Sequence, residues 1–362
     1  MRQDDTRKER LAHLDLLKTI AILMVVTLHI PFWSVDFIAQ PSVSRVIQYA
    51  LRLVTEGVPL FVMVNGYLLL GKTAPDLKAH LKKTLRLFLL LIAWWVILTV
   101  VGTLICDPPR PFSLRSFPSW FSRTGPVEYT GGLWFLQSLI ALYLIVPVLQ
   151  RIFLEDRRLF SWLFLVVSFF TVGMSLLRSL SDCLGLLPGT DGFVFLIGFL
   201  EKLDPLGNAW FLFYFMLGGM ILRHRELIAR RRLLFCLIGL AGWAAAFLFG
   251  YLMSRARGSL YGVAFNYGHM FMAMFLTGLY ALVLPYRDQG TVFGRIIADV
   301  GGNTFGIYLS HYLFIFFLIP HPGLFRSVPV RILIVLGVAA TAHVFSRTMR
   351  KLPVIGKLFS LG

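Results

Sequence analysis

Apolar stretches long enough to cross a bilayer recur from one end of the chain to the other, and no other feature constrains the fold as strongly. A helix needs about 20 apolar residues to span a hydrocarbon core of ~30 Å. Such runs lie near 14–36, 48–71, 84–106, 132–150, 159–180, 207–223, 233–253, 262–285, 302–320 and 327–346, so ten crossings are expected. In lipid every backbone N–H and C=O must find its partner within the protein, which makes each of these crossings helical. The expected fold is therefore an all-α polytopic integral membrane protein. Composition agrees. Hydrophobic residues make up 57% and charged residues 15%, whereas soluble domains carry about 25% charged. A soluble enzyme, a coiled coil and a disordered chain are excluded. The first run is too long for a cleaved signal peptide and no small-x-small site follows it, so it reads as a permanent helix. A further run at 184–200 is interrupted by Pro188, Gly189 and Asp191 and reads as a re-entrant or interfacial segment.

The net charge is +17, from 35 basic and 18 acidic residues. In a soluble chain this would suggest nucleic acid; in a membrane protein the question is on which side the charges lie. With ten crossings and a cytoplasmic N-terminus, 24 of the 35 basic residues fall on the cytoplasmic side. Making 184–200 a crossing would turn the run Arg223–Arg232 outward, against the positive-inside rule. The expected organisation is a cytoplasmic segment 1–13, a ten-helix domain 14–346 and a basic cytoplasmic tail 347–362, with no nucleic-acid partner. Membrane lipids and an anionic cytoplasmic substrate suit this charge distribution. The three cysteines, Cys106, Cys183 and Cys236, have no metal-ligand spacing. Cys106 and Cys183 fall on the same outer side, but nothing else supports a disulfide. Walker, dinucleotide, zinc-protease and nucleophile-elbow motifs are absent, and no metal is expected.

Polar groups inside a bilayer are costly and mark function by default. The crossings contain Lys18, His29, Glu56, Asn65, Asn208, Asn266, His269, Asn303, His311 and His343. Lys18 and His29 are eleven residues apart, close to three full turns, so they share a face about 17 Å apart along the axis. Asp15 shares that face. A Lys18 that snorkels to headgroups and a His29 that bonds within the bundle remain open beside a functional pair. Glu56, at a depth comparable to His29, can orient or stabilise an imidazolium or face outer water. Lys83 and Arg86, three apart in the cluster from Lys78, are neighbours on a helix surface. They are either a positive-inside flank or a phosphate clamp. Gly66 suggests close helix packing, Trp134 an interfacial aromatic, and His311 a buried histidine bonded to a neighbouring helix.

Taken in order, these residues resemble the acyltransferase-3 family of integral membrane acyltransferases, especially stand-alone bacterial O-acetyltransferases of surface polysaccharides. Leu14-Asp15-Leu16-Leu17-Lys18, ten residues and His29 are similar to the family's basic-x10-His signature. Gly57-Val58-Pro59-Leu60-Phe61 running to Asn65-Gly66-Tyr67 resembles its second-helix motif, and Lys83-Thr84-Leu85-Arg86 its basic-x-x-basic pair. Leu133-Trp134-Phe135-Leu136 with Tyr143 and Pro147 resembles the fourth helix, and Asn303 through His311 the late Ile-Tyr-Leu-x-His stretch. The likeness covers essentially the whole chain. Lys18 and Lys83 stand where Arg is commoner and Asn65 replaces a Ser, which keeps charge or polarity but loses a bidentate fork or a hydroxyl.

The resemblance implies acetyl-coenzyme A as acyl donor and co-substrate, a cell-envelope glycan as acceptor, and a multi-pass location in the bacterial inner membrane. It implies catalytic roles for His29 and Glu56, donor contacts from Lys18, Lys83, Arg86, Asn65 and Tyr67, and acceptor contacts from Trp134 and His311. Either the ten helices complete the transfer, alone or as a homo-oligomer, or a separate periplasmic transferase does. The outer loops 107–131 and 181–206 would shape the acceptor site. Two other classes compete. A transporter or flippase of an envelope precursor or small solute would use the same Lys, Glu and His residues as a path, but the paired interrupted helices of such folds are not evident. A silent scaffold would tolerate loss of His29.

Overall fold

The computed structural model describes residues 11–30, 35–72, 76–105, 131–187, 190, 192–205, 207, 209–262, 267–288, 290–325 and 327–359. Among them every regular element is helical. In chain order these are α1 (Ala12–His29), α2 (Val43–Arg52), α3 (Gly57–Leu70), α4 (Leu77–Ile105), α5 (Trp134–Glu155), α6 (Arg157–Ser168), α7 (Met174–Leu184), α8 (Val194–Lys202), α9 (Trp210–Arg223), α10 (Arg225–Arg230), α11 (Arg232–Arg257), α12 (Met270–Val283), α13 (Val292–Phe316) and α14 (Val328–Met349). Cys106, Asn208, Asn266 and nearly all of the loop 107–131 lie outside the described residues. Cys183 and Cys236 are free thiols.

Each of the ten expected segments contains helix among the described residues. Among the described residues seven helical stretches are long and apolar enough to cross a membrane: Ala12–His29, Val43–Leu70, Leu77–Gly102, Trp134–Glu155, Arg157–Leu184, Arg232–Arg257 and Val328–Met349. The remaining three segments coincide with α9 and α12, of 14 residues each, and α13, of 25 residues. Fourteen residues cover only ~21 Å at ~1.5 Å per residue, less than the hydrocarbon thickness. Length is sufficient in α13, but Arg295, Asp299, Asn303 and His311 dilute its hydropathy. The run 184–200 contains a turn and the nine-residue α8, none of whose side chains is buried. At ~14 Å it is far too short to span.

The stretch 48–71 differs from expectation: it is two helices with a break between them. In a continuous helix the ring of Pro59 would collide with the carbonyl of Thr55, four residues back. The chain therefore leaves α2 after Arg52 and restarts with Pro59 in the first turn of α3, where its missing N–H costs nothing. Glu56 sits in this break, immediately before α3.

At the centre of the bundle, α1 packs against α3, α13 and α14. Leu14, Leu17, Ala21, Ile22, Val25 and Val26 are buried there. Gly57 lies against Ala21 and Tyr67 against His13, so α3 runs antiparallel to α1. Gly301 lies against Asp15 while His311 meets His29, so α13 runs in the same direction as α1. Contacts of Asn303 with Ser346 and of Ser310 with Ala342 make α14 antiparallel to α13.

Close backbone approach joins α3 to α9. A Cβ on Gly66 would lie 1.9 Å from the Phe215 carbonyl oxygen, and one on Gly218 would lie 2.0 Å from that of Met63. Two helices can meet this closely only through small residues, so Gly66 is a packing residue. Gly66→Ala forces the backbones apart and should destabilise the protein by about 1–3 kcal/mol. Gly337→Ala, on α14 with no atom within 4 Å of the added carbon, should be neutral. Thermal unfolding in detergent distinguishes the two; equal midpoints would contradict this packing.

Candidate active site

Along α1, Lys18 and His29 reach two different environments. Lys18 forms an ion pair with Asp15 at 2.7 Å, one turn back on the same helix. Beyond it opens a cavity of about 140 Å³ whose polar lining is Lys18, Asn65 of α3, Tyr143 of α5, and Thr304 and Tyr308 of α13. Phe61, Leu68, Phe135 and Leu139 supply apolar wall. The Lys83 ammonium of α4 lies 5.6 Å from the centre of the Tyr143 ring, a cation–π contact. Arg86 is half-buried one turn farther along α4. Lys18 and Asn65 therefore share one cavity, and Lys83 borders it through Tyr143.

Tyr67 lies elsewhere. Two helical positions from Asn65 mean about 200° around α3, so its ring turns to the opposite face. There it meets His13 at 5.9 Å and Tyr280 at 5.8 Å between centroids, and borders a separate cavity of about 650 Å³ with Arg225 and Arg287. His13 sits one residue before the expected first crossing and so escapes a search confined to the crossings.

At the other end of α1 the His29 ring faces His311 of α13, with His29 Nδ1 and His311 Nε2 3.4 Å apart. His311 Nδ1 donates to the Tyr308 carbonyl at 2.6 Å. The Tyr312 ring packs against both imidazoles, at 4.8 and 4.7 Å. Tyr308 joins the two environments: it lines the Lys18 cavity, precedes His311 by one turn, and donates its hydroxyl to the Gly132 carbonyl at 2.6 Å. The turn Gly131–Leu133 thereby docks on α13.

Glu56 is only 1% exposed; it does not face water. Its carboxylate pairs with Arg52, four residues back on α2, and accepts from the Tyr267 hydroxyl. Arg52 also acts electrostatically on His29. Tyr267 stacks near Trp134 at 5.8 Å and Trp210 at 4.6 Å, so Trp134 belongs to an aromatic group beside Glu56. Arg52 and Tyr267 were missed in the sequence. The i, i+4 spacing from Arg52 to Glu56 was the available signal.

Among the described residues His269, Asn303 and His343 have other partners. His269 Nδ1 accepts from the Phe271 N–H and its Nε2 lies 2.9 Å from Ser179 Oγ, which makes it a helix cap. Asn303 bonds His343 and Ser346, and His343 Nε2 lies 3.2 Å from Asp299. These tie α13 to α14. Among the described residues no group of three His, Cys, Asp or Glu side chains is placed to hold a metal ion.

The family model described as an acyltransferase domain matches residues 11–345, nearly the whole chain. The chain belongs to the acyltransferase-3 family. It is thus a multi-pass membrane acyltransferase. Searches of curated proteins and of solved structures return no match.

Burial makes the Arg52–Glu56 pair sensitive to loss of one member. Arg52→Met leaves the Glu56 charge uncompensated and should cost about 3–5 kcal/mol, whereas the double variant Arg52→Met/Glu56→Gln should recover most of it. A double-mutant cycle of unfolding in detergent checks this, and additive losses would show that the two side chains do not interact.

Proposed function

We propose that this protein is an O-acyltransferase, specifically an O-acetyltransferase, that moves an acyl group from cytoplasmic acyl-coenzyme A to a hydroxyl of a cell-envelope glycan at the outer face of a bacterial inner membrane. One observation carries the reading: a single central helix presents a cavity lined by Lys18 and a paired imidazole at His29, about 17 Å apart along its axis. That separation is of the order of an extended pantetheine arm. Ten crossings with both termini inside suit the helix directions. The first and ninth members of an alternating series must run the same way, and the second must oppose the first, as α13 and α3 do relative to α1. The short α9 and α12 would sit where the bilayer thins.

In this reading the donor's phosphates stay at the cytoplasmic mouth with Lys18, Lys83 and Arg86, and Asn65 meets the arm. The apolar wall of Phe61, Leu68 and Leu139 accommodates its methylene and acyl portions. Tyr67, on the far face of α3, would act on the donor only through the Arg225–Arg287 cavity. A sugar hydroxyl is a poor nucleophile at neutral pH, and a positioned imidazole removes its proton as attack begins. His29 takes that proton while the hydroxyl oxygen bonds to the thioester carbon. The C–S bond then breaks, and the thiolate leaves with the proton that His29 returns. Glu56 balances the charge of Arg52, which would otherwise oppose an imidazolium at His29. Trp134 and its aromatic neighbours offer a stacking surface for the sugar, and His311 closes the site from α13.

His29→Ala and His29→Gln should abolish transfer and leave donor binding intact. Lys83→Met should do the reverse. Removing one charged contact costs ~1.5–3 kcal/mol, about ten- to a hundred-fold in the Michaelis constant for acyl-coenzyme A, with little change in saturated rate. Lys18→Arg should be tolerated. Steady-state kinetics in lipid vesicles measure both constants, and wild-type turnover by His29→Ala would overturn the assignment.

A further inference from the structure

We infer that His311 is a positioning residue that fixes the tautomer of His29, so that His29 presents Nε2, and not Nδ1, as the proton acceptor. The inference rests on the proposed transfer reaction for its consequence, but its geometric part stands apart from it. Backbone oxygens only accept, so the 2.6 Å contact of His311 Nδ1 with the Tyr308 carbonyl, backed by the Ile307 carbonyl at 3.3 Å, puts a hydrogen on His311 Nδ1. A neutral imidazole with Nδ1 protonated carries its lone pair on Nε2. That nitrogen is the one that faces His29 Nδ1, at 3.4 Å. The two nitrogens can bond only if His29 Nδ1 holds the hydrogen. Tyr312 packs on both rings and holds their orientation.

His311 therefore does for His29 what a buried carboxylate does in a serine-hydrolase triad, without placing a negative charge in the membrane. When His29 Nε2 takes the proton of the attacking hydroxyl, the Nδ1–H bond to His311 becomes charge-assisted and stronger. The charge is then shared toward an imidazole whose other N–H already points at a carbonyl. When the thiolate takes the proton from His29 Nε2, both rings return to their starting forms. No proton is gained or lost by the pair over the cycle.

The test reads the tautomer directly. The full-length protein, labelled with 15N-histidine and reconstituted in lipid, is observed by solid-state NMR, with the His29 signals assigned from their loss in His29→Gln. Wild type should show His29 protonated at Nδ1 and unprotonated at Nε2, with coupling from His29 Nδ1 to His311 Nε2. His311→Phe should convert His29 largely to the Nε2–H form and lower kcat about 100-fold, with the Michaelis constant for acetyl-coenzyme A changed less than about two-fold. His311→Gln, whose side-chain oxygen stands where Nε2 stood, should restore the tautomer and most of kcat. A wild-type spectrum with His29 protonated at Nε2 overturns the inference even if no variant folds. So does an unchanged tautomer in a folded His311→Phe. An Nδ1-protonated His29 together with an active His29→Gln would instead overturn the role of His29 as base and leave the tautomer assignment standing.

Discussion

The parallel packing of α1 on α13 is the contact on which the rest of the structure depends. At one end Gly301 admits the backbone of Asp15, and at the other His29 meets His311. Because a polar group in hydrocarbon is tolerated only against protein or water, each ionisable side chain of α1 must turn to this seam or to α3. The same two helices also bound the Lys18 cavity, through Thr304 and Tyr308. A shift in their register would separate the imidazoles and close the cavity together.

Neighbouring helices then fix what α1 exposes. Gly66 and Gly218 bring α3 against α9, which sets the rotation of α3. With that rotation set, Asn65 falls on the cavity side and Tyr67 on the other. The Gly131–Leu133 turn is held by Tyr308 and delivers Trp134 to the aromatic group around Tyr267. Glu56 and Arg52, four residues apart, pair at the break before α3. The Glu56 charge is thus paired before any substrate arrives.

Much of this was legible in the sequence, for identifiable reasons. The apolar helices follow from apolar length, and the Lys18–His29 spacing follows from eleven residues at 3.6 per turn, both local properties. Gly66 as a packing residue was also readable from its type. The break before α3 was encoded in Pro59 but hidden by the apolar continuity of 48–71. Tyr67 is a motif neighbour of Asn65, yet helical rotation sends the two to opposite faces. The partner of His29 lies 282 residues away, and no local pattern carries that pairing. Tyr267 was invisible for the same reason: its bond to Glu56 depends on how the chain before α12 packs against α2 and α3.

Donor entry at the Lys18 end and chemistry at the His29 end form the central claim, and a one-sided assay tests it most directly. The protein would be reconstituted in vesicles in a single, protease-mapped orientation, with labelled acetyl-coenzyme A on one side and isolated envelope glycan on the other. Donor confined to the side of the Lys18 end should label glycan on the opposite side, and donor confined to the side of the His29 end should give none. Full labelling with donor present only at the His29 side would contradict the through-membrane path.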